Sequence, residues 1–373
     1  MHIVLKKEDL VKFLVVGAKA TTNNKTTPII SGVYIEAKEN KITLRSTNLN
    51  VSVESIYSAA DTEITIIEEG KIVVDSSFIN IIKKFSSGLL TLRTENNELI
   101  ISNEISTFAV TLLGDADSFP LPLQPDKSST DITLNSQQFT NMIKKVSFAA
   151  ATDDSRPALK GIFFDYKDSI LNLVALDGFR LSLQSSTVSS SCKDFSFLVD
   201  SKSLVDIISL FSIEKDIILT LSENHLFLSQ DNIKANCNLL NENYVPYGKL
   251  LPSNLNFSLK INRLNLLESL ERAFLISKDA GNLIIFKIPK DEKKIELSCT
   301  SSCSKLKEIL PINTQNPVNL TIGFNFRYIL DILKVCESEE VNFRFISESS
   351  PLVITEEKNE SNLFLVLPVR LKK

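Results

Sequence analysis

The chain has 373 residues, no tryptophan, two histidines and five cysteines. Each scarcity excludes something. With only His2 and His225, a histidine-based catalytic triad has little to draw on. Cys192, Cys237, Cys299, Cys303 and Cys336 are an odd number without a CxxC pair. Cys299 and Cys303 stand close enough to share a metal, but neither histidine is near them in sequence, and free buried thiols in a reducing compartment are the better reading. No run approaches the length of apolar residues that a membrane helix needs. The opening MHIVLKKEDLVKF meets charge early and has no apolar signal core, so a cytoplasmic protein is expected. GxxxxGK[ST], GxGxxG and HExxH are all missing. Strong charge of one sign is missing too. Lys and Arg number 41 against 45 Asp and Glu, a formal charge of −4, which argues against coating nucleic acid by bulk charge and leaves local basic surfaces open.

What is present is a repeat. VDSSFINIIKKF (74–85), VDSKSLVDIISL (199–210) and IGFNFRYILDIL (322–333) follow one pattern at near-constant spacing. TTPIISGVYIEAKE (26–39) also aligns with SRPALKGIFFDYKD (155–168) at an offset of 129, pairing Pro28 with Pro157 and Gly32 with Gly161. A period of about 124 residues is far longer than a solenoid repeat and is the size of a domain. Proline-rich linkers ADSFPLPLQPDKSST (116–130) and ENYVPYGKLLPSNLN (242–256) set expected boundaries near 127 and 253. Three copies of one domain are expected: 1–127, 128–253 and 254–373.

Each copy opens with a helical stretch. Leu10, Phe13, Leu14 and Gly17; Phe139, Ile143, Val146 and Ala150; and Leu267, Leu270 and Phe274 recur at three- and four-residue spacing. In the second halves, Phe78, Ile81, Ile82 and Phe85 match Leu204, Ile207, Ile208 and Phe211, and again Phe326, Ile329, Leu330 and Leu333. Asn135–Ser136, Asn262, Asp75–Ser76 and Asp200–Ser201 are cap-like starts. Segments such as KITLRSTNLNVSVESIY, LLTLRTENNELIISN, GIFFDYKDSILNLVAL, IILTLSENHLFLSQ and LFLVLPVRL alternate or are rich in β-branched residues. The expected fold class is α+β, with two helices on an antiparallel sheet in each domain.

These residues carry a resemblance. SRPALKGIFF, ALDGFRLSL (175–183), ADSFPLPL, YVPYGKLLP (244–252), IGFNFRYILDIL and the final LPVRL (367–371), in this order and spacing, resemble the β subunit of bacterial DNA polymerase III, the replicative sliding clamp. The resemblance spans the whole chain. It implies a DNA clamp fold closing as a head-to-tail homodimeric ring around double-stranded DNA, without sequence preference. It also implies a non-catalytic processivity factor, without cofactor or metal and nucleoid-associated in the cytoplasm. An ATP-dependent clamp loader would load it, and it would tether the replicative polymerase and repair proteins through short apolar peptides.

Carried over by motif, the partner-peptide pocket uses Leu159, Leu176, Gly178, Phe179, Arg180 and Leu181. The linker adds Pro246, Lys249 and Leu250, and the chain end adds Leu365, Val366, Leu367, Pro368, Val369, Arg370 and Leu371. Read from the residues alone, LPVRL fits a last strand packed in the core better than a pocket. Phe179, Leu176 and Lys249 depart from residues frequent in the family, making the pocket more apolar and removing a planar fork for carboxylates. Lys12, Lys83, Lys84, Lys144, Lys145, Arg272, Arg327 and Lys334 on polar helix faces, with Lys25 and Arg156 in loops, are the DNA-facing candidates. Solubilising lysines are the competing reading. Phe108 and Val110 of one chain would meet Leu275 and Ile276 of the other at the ring joint. Acidic Glu95, Glu98 and Glu104 against Lys305 and Lys307 suggest charges partly swapped from family habit. Two other classes stay open: a hydrolase using acidic pairs such as Asp153–Asp154 or Asp115 and Asp117, and a monomeric peptide adaptor.

Overall fold

Among the described residues the helical periodicities become six α-helices. They are α1 (Lys7–Gly17), α2 (Phe78–Ile82), α3 (Ser136–Ser147), α4 (Ser201–Ile208), α5 (Arg263–Ile276) and α6 (Phe326–Val335). The computed structural model describes residues 1–22, 26–60, 62–126, 129–188, 193–252, 255–276, 282–290, 292–314, 319–357 and 359–371, with the side chains of 359–361 set aside. Leu10, Phe13, Leu14 and Gly17 are the buried face of α1, as their spacing requires. Leu204, Ile207, Ile208 and Phe211 are all buried, as are Phe326, Ile329, Leu330 and Leu333. The face of α5 differs from the expected one. Leu266, Ser269, Leu270 and Ala273 are buried, while Phe274 is 37% exposed. Two of the four expected caps hold, whereas α2 starts after Ser77 with no side-chain cap bond. The Asn135 side chain accepts from the Gln138 amide at 3.0 Å and Asn262 from Asn265 at 3.0 Å, each satisfying an orphan first-turn donor.

Among the described residues the strands form three sheets. A five-stranded sheet runs Thr65–Glu68, His2–Lys6, Leu89–Glu95, Glu98–Ser102, Thr107–Thr111. An eight-stranded sheet runs Thr130–Asn135, Asp216–Leu221, His225–Gln230, Ile233–Asn238, Val51–Ser58, Lys41–Thr47, Gly32–Lys38, Gly70–Asp75. A twelve-stranded sheet starts Phe195–Asp200, Gly161–Lys167, Ile170–Leu176, Arg180–Thr187, Asn359–Val366, Leu352–Glu356 and ends at Leu320–Asn325. The chain divides into two compact units, Met1–Gln138 with Lys202–Leu239, and Phe139–Ser201 with Leu240–Lys373.

The division follows the hydrogen bonds. Ile233–Asn238 of the middle repeat pairs with Val51–Ser58 of the first. Arg180–Thr187 of the same repeat pairs with Asn359–Val366 of the third. Sheets therefore run on across the linkers, and the middle repeat is shared between the two units.

Candidate functional site

Between Ile170–Leu176 and Arg180–Thr187 the chain turns through Asp177, Gly178 and Phe179. Gly178 has φ +93°, a conformation that any side chain would strain. The Asp177 carboxylate closes the turn, accepting from the amides of Phe179 (2.8 Å) and Arg180 (3.0 Å) and from Arg180 Nε (2.9 Å). Arg180 also donates to Asp331 of α6 at 2.6 Å. Its guanidinium lies 4.8 Å from the ring centre of Tyr328 and 5.3 Å from that of Phe148. Phe179, 59% exposed, stacks beside Tyr328 at 6.2 Å. Arg180 thus holds the turn and α6 together as a positioning residue.

Beside this turn lies a separate apolar cluster of Leu159, Val174, Leu176, Leu181, Leu183 and Leu365. Leu181 stands directly opposite Leu365 in the strand pair, so both side chains share one face. Linker residues close over it. Tyr244 stacks on Phe163 at 4.8 Å, and the Tyr247 hydroxyl donates to Asp165 at 2.6 Å. Burial pushes both phenols above their ordinary range, with the Asp165 hydrogen bond adding to the effect on Tyr247. Pro246, Lys249 and Leu250 are exposed along the rim.

The chain end is not a core strand beyond Val366. The Leu367 amide donates to the Phe179 carbonyl at 2.8 Å and the Val369 amide to Gly323 at 2.8 Å. Leu367 and Val369 stay 38% and 41% exposed, Pro368 is half-buried and Arg370 exposed. Leu371 packs so close to Gly323 that an added Cβ there would meet it at 2.8 Å. Val366 is the exception among the expected pocket residues. It alternates to the opposite face and packs in the third-repeat core with Phe364. Sequence reasoning missed Tyr328, Phe148, Phe163, Tyr244 and Tyr247. Aromatics inside a polar-turn linker (ENYVPYGK) were the available signal.

The cationic candidates separate into two groups. Lys83, Lys84, Lys144, Arg156, Arg327 and Lys334 are exposed, and Arg327 lies 5.1 Å over the Phe274 ring. Lys12 is exposed and 3.7 Å from Asp9. Lys145 is no free surface cation: its side chain is 13% exposed and its ammonium meets Glu356 at 2.6 Å. Arg272 is likewise committed, to both oxygens of Glu308 at 2.6 and 2.8 Å, which holds the Glu308 carboxyl below its usual value. Lys25 lies outside the described residues.

Among the described residues, two open strand edges lie beside the expected joint residues. Thr107–Thr111 ends the five-stranded sheet, with Phe108 40% exposed and Val110 packed on the first core. In Lys305–Thr314, residues 305–311 pair with Lys294–Thr300 on one side, while Phe257–Asn262 engages the other side only at Ile312, Asn313 and Thr314. Leu275 is 76% exposed and Ile276 half-buried, Lys305 is exposed, and Lys307 sits 3.4 Å from Glu296. The acidic pairs do structural work. Asp153 accepts from the Ser155 amide, Asp154 meets Lys160, Asp115 accepts from the Asp117 amide and Asp117 meets Lys71.

Three repeated α+β domains, sheets continuous across their linkers, and an apolar cluster where the second repeat meets the chain end define a three-domain clamp. The comparisons agree. The chain matches the N-terminal, central and C-terminal domains of the DNA polymerase III beta subunit over residues 1–123, 133–246 and 248–370, and it belongs to that family of non-catalytic processivity clamps. It is 29% identical to the beta sliding clamp of Staphylococcus epidermidis and 28% to that of Staphylococcus aureus, over 99% of each chain. Its fold superposes on the DNA polymerase sliding clamp of Bacillus subtilis (TM-score 0.93, 25% identity, all of both chains). It also superposes on the DNA polymerase III beta chain of Streptococcus pneumoniae (TM-score 0.92, 27% identity, 99% of this chain and all of that one).

Proposed function

We propose that two copies of this chain close head to tail into a ring around duplex DNA, and that the Leu181–Leu365 cleft tethers the polymerase, the clamp loader and repair proteins by short apolar peptides. The domain boundaries lie near 127 and 253, and the protein acts in the cytoplasm on the nucleoid. The observation that carries the ring is the pair of open strand edges. Unpaired edges of this kind recruit another chain unless they are covered. Joining Thr107–Thr111 of one copy to residues 305–311 of the next removes both edges and seats Phe108 against exposed Leu275. A single chain leaves both open, so the monomeric adaptor is disfavoured.

Light scattering should give about 83 kDa, twice the 41.6 kDa chain; monomer alone at micromolar concentration would overturn the dimer. Phe108→Ala should weaken it far more than any charge change, because exposed ion pairs are worth only about 0–1 kcal/mol. In a double-mutant cycle, Glu104→Lys should partly offset Lys305→Glu with Lys307→Glu. No coupling removes the swapped-charge idea but not the ring.

DNA association should be topological. Once loaded, the ring should stay on circular DNA and leave when the circle is cut. Retention on linear DNA with free ends would contradict encirclement. Reversing Lys83, Lys84 and Lys144 together should weaken loading and flatten its salt dependence while the dimer persists. Lys145 is left out of that set because Glu356 already neutralises it.

A further inference from the structure

We infer that the ring joint holds a second apolar anchor, on the sheet face turned away from the helices, where Ile105 of one copy packs on Ile309 of the next. The anchor rests on the ring reading and gives its joint a register. Two internal joints of the chain supply that register. In each, the third strand after a repeat's first helix pairs antiparallel with the last strand of the following repeat: Val51–Ser58 with Ile233–Asn238, and Arg180–Thr187 with Asn359–Val366. The remaining strands in these two places are Lys305–Thr314 of the third repeat and Thr107–Thr111 of the first, the two open edges.

Turns fix the alignment. Each third strand follows a turn closed by one backbone bond, Asn48 to Val51, Asp177 to Arg180 and Ser301 to Ser304. The last strands of the first and second repeats follow turns closed at Asn103–Ser106 and Gln230–Ile233. In the first internal joint the Ile56 amide, five residues past Val51, donates at 3.0 Å to the carbonyl of Asn232, one residue before Ile233. The same places in the open edges are Ile309, five past Ser304, and Ile105, one before Ser106. At the other end of that joint the Asn238 amide donates to the Asn50 carbonyl at 3.0 Å, and in the second internal joint Leu367 donates likewise to Phe179. Their counterparts are Thr111 and Cys303. Phe108 then falls opposite Leu306. The helix agrees. α5 starts beside the Ile261–Ile312 pair, and Ser269 and Arg272 both bond Glu308, so it runs toward lower strand numbers. Leu275 lies about 4.5 Å past Arg272, roughly one to two strand residues, which sets it beside Leu306 and under Phe108.

Ile105 is 84% and Ile309 54% exposed. Single exposed isoleucines are ordinary, but the alignment uses turns and backbone bonds, not hydrophobicity, and still sets these two side by side. Directly opposed residues share a face. Ile309 alternates with Glu308, which faces α5, so the isoleucine pair lies on the outer face while Phe108 and Leu275 meet on the inner one.

Cys303 is an exposed native thiol that reads the register. Under mild oxidation, Thr111→Cys should give a disulfide-linked dimer through Cys303 of the second copy, because opposed residues of this kind stand about 5.5 Å apart, within disulfide reach. Ala109→Cys, two residues away, should link at least about tenfold more slowly, and Cys303→Ser should abolish the product. Ile105→Ser and Ile309→Ser should each raise the dimer dissociation constant about three- to tenfold, and the double variant little beyond either alone, as a cross-strand pair present at both joints of a ring requires. Both side chains are exposed in the single chain, so neither change should impair its folding. Light scattering reads the ring separately. A dimer in which Thr111→Cys does not link through Cys303, or in which the two isoleucine effects simply add, overturns the anchor and leaves the ring standing. Monomer alone in the unsubstituted protein removes both.

Discussion

Replacing Leu181 and Leu367 together by alanine should weaken binding of a short apolar clamp-binding peptide at least about tenfold, with the dimer intact. The two residues act differently. Leu181 is 2% exposed and forms floor, while Leu367 is 38% exposed and forms rim. Truncating a well-packed anchor costs about 1–3 kcal/mol of binding, and every 1.4 kcal/mol is about a factor of ten. Leu181→Ala also opens a cavity under Leu159, Leu183 and Leu365, so it should lower stability by about 2–5 kcal/mol as core truncations do. Leu367→Ala should not, because its side chain is already partly in water and its amide bond to Phe179 survives. The rim variant is therefore the clean arm, and the melting temperature of the double variant reports the floor. Affinity unchanged within about twofold in a folded dimer would mean that peptides bind elsewhere.

Much of the framework of this candidate site is legible in the sequence because the contributing residues are local. Asp177, Gly178 and Arg180 form one turn, and a turn is read from neighbours. The aromatic wall was not legible. Tyr328 reaches Phe179 and Arg180 only because Arg180–Thr187 pairs with Asn359–Val366, and no nearby pattern announces a pairing across so long a separation. Helix faces divide the same way. α1 has one apolar stripe and was read correctly. α5 has leucines at 264, 266, 267 and 270, so periodicity admits two faces; Leu266 and Leu270 join the third-repeat core, while Phe274 meets Phe326 edge-on and stays 37% exposed. Helix period also explains why Lys145 reads as a wet-face cation although it is largely buried. A wheel shows which side leaves the helix's own core, not whether an acid from another element waits there.

Lys145→Met should destabilise the protein by about 3–5 kcal/mol, the cost of leaving one member of a buried ion pair alone. Glu356 is the member left. One oxygen takes the Lys145 ammonium at 2.6 Å, and the other accepts the amides of Glu337 at 2.8 Å and Ser338 at 3.0 Å. Burial by itself would raise this carboxyl. The ammonium and the two amides outweigh burial and hold it below its ordinary value. A carboxyl depressed on folding contributes stability that is full above its unfolded value, near 4.5, and is lost as pH falls through the folded one. Without the ammonium, burial dominates and the carboxyl rises. The variant should then lose stability at neutral pH and recover part of it on mild acidification, where the native protein only weakens. Adding Glu356→Gln should restore a large part at all pH values, because the glutamine carbonyl still accepts the two amides and no charge remains to be buried. Denaturant unfolding across pH 4 to 8 reads all three proteins. A loss below about 1 kcal/mol for Lys145→Met, or no rescue by Glu356→Gln, would show that the pair is solvated in solution and that Lys145 is available to DNA after all.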